Sequence, residues 1–200
     1  MKKLLFIFLC FPLIGFGQTA RDYYNKAYNY SESGEYQLAI DNYTKCIKLK
    51  PGDENLTVAY NNRGNAYDDL GNHEDAIADF TRAIRIDPDY ANAYYNRGNV
   101  YNLLENYEDA IADYTRAIRI DPDYAKAYYN RGHAYHNLDN YEDAIADYTR
   151  AIRIDPDYAD AYYNRGIAKE NAGLPYCSDY KRACDLGEEK CCEWYYKQCR

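Results

Sequence analysis

Cationic charge is scarce in this sequence: 24 lysines and arginines stand against 32 aspartates and glutamates, a formal net charge of −8. Nucleic-acid binding rests on a cationic footprint that neutralises phosphates and releases counterions. The deficit therefore argues against nucleic acid as a partner, and against an anionic membrane surface. Catalytic signatures are lacking as well. No serine, cysteine or histidine stands with a base and an orienting partner at a recognisable spacing, and no nucleotide-binding loop occurs. Seven cysteines are present without the CxxC spacing of zinc or thioredoxin-like sites. The chain reads as a non-enzyme with no cofactor.

The apolar stretch from Leu4 to Phe16 is short and is broken by Pro12 and Gly15, which excludes a comfortable membrane span. Lys2 and Lys3 precede it and Gly15-Phe16-Gly17 follows, the layout of a secretory signal peptide (residues 1–17) cleaved after Gly17. Cys10 follows Leu9 in mid-run, the wrong setting for a lipid anchor. The mature chain is expected to have no membrane span and to be exported, either periplasmic or secreted. Without Lys2 and Lys3 it holds 22 basic against 32 acidic side chains, a balance of −10. Mean hydropathy is low (−0.78) despite 27 tyrosines, which suggests a core wide in contact but shallow.

What the sequence does have is repetition. EDAIADYTRAIRIDPDYA occupies residues 108–125 and again 142–159, and a third copy at 74–91 differs only in Phe80. Five registers start at Ala20, Thr57, Ala91, Ala125 and Ala159, giving units 20–53, 57–90, 91–124, 125–158 and a degenerate 159–186. Such a period is the signature of a solenoid, in which each unit buries its apolar face against its neighbours. In the fourth unit Tyr128, Gly132 and Tyr135 form one helical stripe, and Ala144, Tyr148 and Ala151 another. Asp139-Asn140-Tyr141 makes the turn between them. Asn140 is the expected N-cap, with Glu142 and Asp143 in the first turn, and Asp155-Pro156 stops the helix. Gly64, Gly98, Gly132 and Gly166 fall mid-helix, where each costs about 1 kcal/mol relative to alanine. The column predicts a close approach by the second helix at Ala76, Ala110 and Ala144.

The pattern Tyr94, Gly98, Tyr101, Ala110, Tyr114, Ala117 and Pro122, with its equivalents in units two and four, resembles the tetratricopeptide repeat family. The resemblance spans residues 20–186 and implies an all-α protein, a right-handed α-solenoid of antiparallel helix pairs in about five units. The first unit departs from it, with Ala27 in the glycine column, Cys46 in the last alanine column, and three extra residues, Glu54 to Leu56.

Five cysteines crowd into the last 24 residues, and an exported protein is expected to pair some of them. Residues 176–186 and 188–198 read as two short helices hinged at Gly187. Cys177 and Cys184 lie seven apart on the first, Cys192 and Cys199 seven apart on the second. In an antiparallel hairpin opposed residues keep a constant index sum, which predicts rungs Cys177–Cys199 and Cys184–Cys192 and leaves Cys191 over. This Cys-rich cap, residues 187–200, is expected to lay Trp194, Tyr195 and Tyr196 over the last repeat. Cys46 reads as a small buried thiol.

A ligand should meet the face of each first helix that packing does not use. That face carries Tyr24; Asn61 and Asn65; Tyr95, Asn99 and Asn102; Tyr129, His133 and His136; and Tyr163. In proteins of the resembled family it lines a concave groove that commonly holds a peptide or a partner's segment, so a protein or peptide is the expected partner. Phenol faces could equally stack on sugar rings, a glycan or cell-wall reading. Self-association into a structural assembly, through Cys191 or solenoid stacking, is a third. Some family members clamp a C-terminal carboxylate, and Asn65, Asn96, Asn99 and Lys126 match part of that clamp. The remaining basic positions hold Asn61, Tyr95 and Asn92, so a free carboxylate is not the expected ligand. His133 and His136 have metal-ligand spacing but lack a third ligand. Arg63, Arg97, Arg131 and Arg165 are expected to lie over the seams between units and to pair with aspartates such as Asp79, Asp113 and Asp147.

Overall fold

The computed structural model describes residues 18–50 and 52–199. The signal-peptide expectation, with Cys10 and the cleavage after Gly17, lies outside them. Among the described residues the regular structure is eleven α-helices: α1 Ala20–Glu32, α2 Tyr36–Lys48, α3 Asp53–Asp69, α4 His73–Ile86, α5 Ala91–Leu103, α6 Tyr107–Ile120, α7 Ala125–Asn137, α8 Tyr141–Ile154, α9 Ala159–Asn171, α10 Cys177–Asp185 and α11 Glu189–Gln198. None of them is long and apolar enough to cross a membrane.

Each helix packs on the next, and the first helices of successive units also touch: α1 on α3, α3 on α5, α5 on α7, α7 on α9. The second helices make no comparable contact with one another. The stack therefore curves with its first helices on the inside. Helix ends follow the residues expected to set them. Asn140 accepts the Asp143 N–H at 3.3 Å, and Thr19 caps α1 in a reciprocal box with Asp22. After α6, Asp121 Oδ1 accepts the Asp123 N–H at 3.1 Å and closes the Asp-Pro-Asp turn on itself.

The core repeats in columns. Ala76, Phe80 and Ala83 are buried in α4, Ala110, Tyr114 and Ala117 in α6, and Ala144, Tyr148 and Ala151 in α8. The mid-helix glycines make room for the aromatic member of each set, which corrects the expectation that they face alanine. A Cβ on Gly64 would stand 2.7 Å from the Phe80 ring, and one on Gly98 would stand 2.9 Å from Tyr114. At Gly132 the partner backbone also comes close, with the Ala144 carbonyl oxygen 3.2 Å away. Burying such a ring stabilises by about 1.5–3 kcal/mol, more than the ~1 kcal/mol that glycine costs the helix. The ring decides the column.

The extra residues Glu54 to Leu56 lie inside α3, which has 17 residues where α5, α7 and α9 have 13. The insertion thus lengthens one helix by about a turn and leaves the stacking order intact.

At the far end the chain turns back at Gly187, whose φ of +100° suits glycine. Disulfides join Cys177 to Cys199 and Cys184 to Cys192, with Cα separations of 5.7 and 4.8 Å. Trp194 packs on Tyr176 and Tyr180, with ring centroids 5.4 and 4.6 Å apart. Tyr195 joins the same cluster, and Tyr196 packs edge-on against Tyr195 with 55 % of its surface exposed. Cys191 is wholly buried with Tyr180 and Ala183. The reading of Cys191 as a link between chains is therefore overturned, because its sulfur cannot be reached while the cap is folded.

Candidate functional site

The inner face is built from the Asn-Arg dipeptides at 62–63, 96–97, 130–131 and 164–165. Their two side chains leave the helix on different sides and tie each unit to the one before it. Arg131 reaches the buried Asp147 of its own unit through Nε and Nη2, at 2.7 and 2.8 Å, while its Nη1 donates to Thr115 of the preceding unit at 2.9 Å. Arg97 does the same with Asp113 and Thr81, and Arg63 with Asp79 and Thr44. Arg165 holds Asp179 and Thr149. Burial holds the Asp113 and Asp147 carboxyls above the usual carboxylate range, a rise the facing guanidinium offsets only in part.

The asparagines make a second ladder on the inner side. Asn62 donates to the Tyr24 hydroxyl (3.0 Å), Asn96 to Asn61 Oδ1 (3.0 Å), Asn130 to the Tyr95 hydroxyl (3.1 Å) and Asn164 to the Tyr129 hydroxyl (2.6 Å). The reading of the sequence does not single out this column as a ladder. The repeated dipeptide is its only signal, and nothing in spacing tells which neighbour an amide will meet.

Several of the expected groove residues are consequently part of the seams. Asn61 is buried rather than exposed, holding Asn96 on one side and Asn62 on the other. Asn99 Oδ1 accepts from both Tyr114 (2.9 Å) and Asn130 (2.8 Å). Tyr95 and Tyr129 are half-buried, stacked on Tyr124 and Tyr158 at centroid distances of 4.8 and 4.9 Å. Burial pushes the Tyr129 phenol up to about 12. Tyr163 packs in a tilted contact on Tyr180, and Asn102 is half-buried with its Oδ1 enclosed. Asn65 and Lys126 are exposed.

His133 and His136 are also engaged. His136 Nε2 lies 3.0 Å from Asn171 Nδ2, and His133 Nδ1 lies 3.1 Å from Asn137 Nδ2. A neutral imidazole accepts from the asparagine amide at each of these contacts. Burial lowers both histidines from their ordinary pKa, with the His133–His136 repulsion adding to the shift at His133 and Asp139 opposing it at His136.

What remains free on this face has one chemical sense. A tyrosine hydroxyl that accepts from an asparagine still has its own proton to donate. Tyr24, Tyr95 and Tyr129 are all in that condition: the seams engage their oxygens as acceptors.

Comparisons with known proteins agree with this architecture. Tetratricopeptide repeat models match residues 20–53, 125–158 and 147–184, and a further TPR repeat model matches 64–104 and 98–139. No curated protein matches the chain. Among solved structures, a MamA protein is 30 % identical over 87 % of this chain and 94 % of its own, with a TM-score of 0.75. MamA from Desulfovibrio magneticus is 21 % identical over 91 % and 98 %, with a TM-score of 0.72. YrrB, described as a TPR protein with an unusual peptide-binding site, is 23 % identical over 89 % and 92 %, also at 0.72. The chain belongs to the tetratricopeptide repeat family.

Proposed function

We propose that this protein is a non-catalytic scaffold whose concave face binds an extended segment of a partner protein. The observation that carries the reading is the row of tyrosine hydroxyls whose acceptor side is filled by the next unit's asparagine. Units one, three and four each offer such a hydroxyl to the carbonyl acceptors of an extended main chain, while unit two has the buried Asn61 at that position. Main-chain recognition of this kind needs few cations, in keeping with the acidic chain.

The glycan reading is weaker on the same face. A sugar needs an open aromatic plane, whereas the half-buried Tyr95 and Tyr129 rings pack in tilted contacts on Tyr124 and Tyr158. Two disulfides in the cap fit an oxidising compartment, and with the proposed signal peptide they support export to the periplasm or beyond.

The test replaces Tyr95 and Tyr129 by phenylalanine, which keeps the rings and removes the donors. On arrays of extended peptides and of glycans, peptide signals should fall by about thirtyfold for the pair, at roughly 1 kcal/mol per lost bond. Unchanged peptide binding, or loss of glycan signals alone, overturns the reading.

A further inference from the structure

A row of leucines lies outside the face just described. Leu70, Leu104 and Leu138 end the first helices α3, α5 and α7 at the same position of each unit, and Leu103 stands beside Leu104. All four are between 40 % and 61 % exposed. Much of each side chain stays exposed, and their recurrence repeats an apolar group along the rim where each unit turns from its first helix to its second.

The charge around the strip has one sign. The three turns, residues 68–75, 102–109 and 136–143, hold ten aspartates and glutamates and no lysine or arginine. The opposite rim, residues 82–89, 116–123 and 150–157, holds six arginines and six aspartates. Its charges also meet across units, Arg150 with Asp123 at 3.5 Å and Arg116 with Asp89 at 3.9 Å. The net negative charge of the repeats is therefore displayed on the leucine rim. Glu105 and Asp139 hold this rim's turns at φ of 59° and 57°, where the other units have Gly34, Gly71 and Gly173.

We propose that the leucine rim is a second docking surface, which binds a cationic amphipathic helix of a partner protein. Leucines borne on touching first helices recur at about 10 Å, and a helix advances about 10.5 Å in seven residues. One apolar residue per heptad thus meets one leucine per unit, and lysines or arginines between them face the acidic turns. The balanced opposite rim of a second copy offers no such complement. An anionic membrane is repelled by the same acids.

Fluorescence anisotropy tests this with a labelled synthetic helix of roughly three heptads, leucine in the apolar positions and lysine elsewhere. A scrambled peptide of equal composition measures charge alone. At about 0.15 M salt the amphipathic peptide should bind at least ~10-fold more tightly than the scrambled one. Leu104→Ser with Leu138→Ser should remove that advantage, and circular dichroism should stay unchanged because both leucines are exposed. Glu105→Gly should weaken binding by about threefold while raising the thermal midpoint, since glycine relieves the positive φ. The Tyr95→Phe/Tyr129→Phe variant should bind this probe normally, so failure of the concave-face reading and failure of this one are distinguishable. Equal binding of the scrambled peptide overturns the proposal. So does normal binding by the leucine variant, or wild-type self-association in light scattering that the leucine variant abolishes.

Discussion

Arg131 and Asp147 sit sixteen residues apart on facing helices of one unit, joined by two parallel bonds of 2.7 and 2.8 Å, and the same guanidinium donates to Thr115 of the unit before. The carboxylate is buried, and burial raises its pKa while the facing guanidinium lowers it. The pair's main contribution is to alignment of the two units. Arg131→Met should cost about 3–5 kcal/mol by leaving a buried charge unpaired. Arg131→Met with Asp147→Leu should recover most of that loss. Urea titrations of the single and double variants measure the difference, and an equally unstable double variant would show that the ion pair itself is strongly stabilising.

At Gly132 the Tyr148 ring and the Ala144 carbonyl oxygen leave no room, with an added Cβ at 3.1 and 3.2 Å. Leucine there must push α7 and α8 apart. Overpacking of this kind costs about 1–3 kcal/mol and often more, so Gly132→Leu should lower the thermal midpoint by several degrees. An unchanged midpoint would refute the close-approach account at Gly132.

The two histidines give stability a pH dependence of defined sign. Both have folded pKa values below 6.5, and burial is the leading cause. The unfolded chain therefore binds protons first as the pH falls through 6.5 toward the folded values, and stability falls with it. Above 6.5 the contribution is fully present. The third unit carries Asn99 and Asn102 at the corresponding positions. His133→Asn/His136→Asn should accordingly fold and should lose less stability than the wild type between about pH 7.5 and pH 5.5. Parallel curves for the two proteins would remove the histidines as the cause.

Cys46 and Cys191 are free thiols that should behave as core atoms. Both are buried, and burial pushes the Cys191 thiol up to about 11. Neither should react with an exposed-thiol reagent at neutral pH until the chain unfolds. Reducing the Cys177–Cys199 bridge, which spans 22 residues, should destabilise the protein by about 3 kcal/mol in the loop-closure view. Labelling kinetics followed by peptide mapping checks both statements.

Much of the architecture is legible in the residues alone, because a repeated phrase obeys local rules. Helix stripes, the Asp-Pro stops, Asn140 as a cap and the small-residue columns depend on neighbours three to seven positions away. Repetition copies them faithfully. The family pattern rests on the same positions.

The sequence by itself determined that helices would pair, stack and leave one inner wall. Only the tertiary structure decided what each polar side chain of that wall touches. Asn61 became buried, and Tyr95 and Tyr129 became half-buried seam residues with one proton left over. Asn62, Asn96, Asn130 and Asn164 became the rungs between units. Those partners come from units some 35 residues away, and an amide or hydroxyl is satisfied by whichever group the stacking brings within about 3 Å. Periodicity along the chain carries no record of that distance.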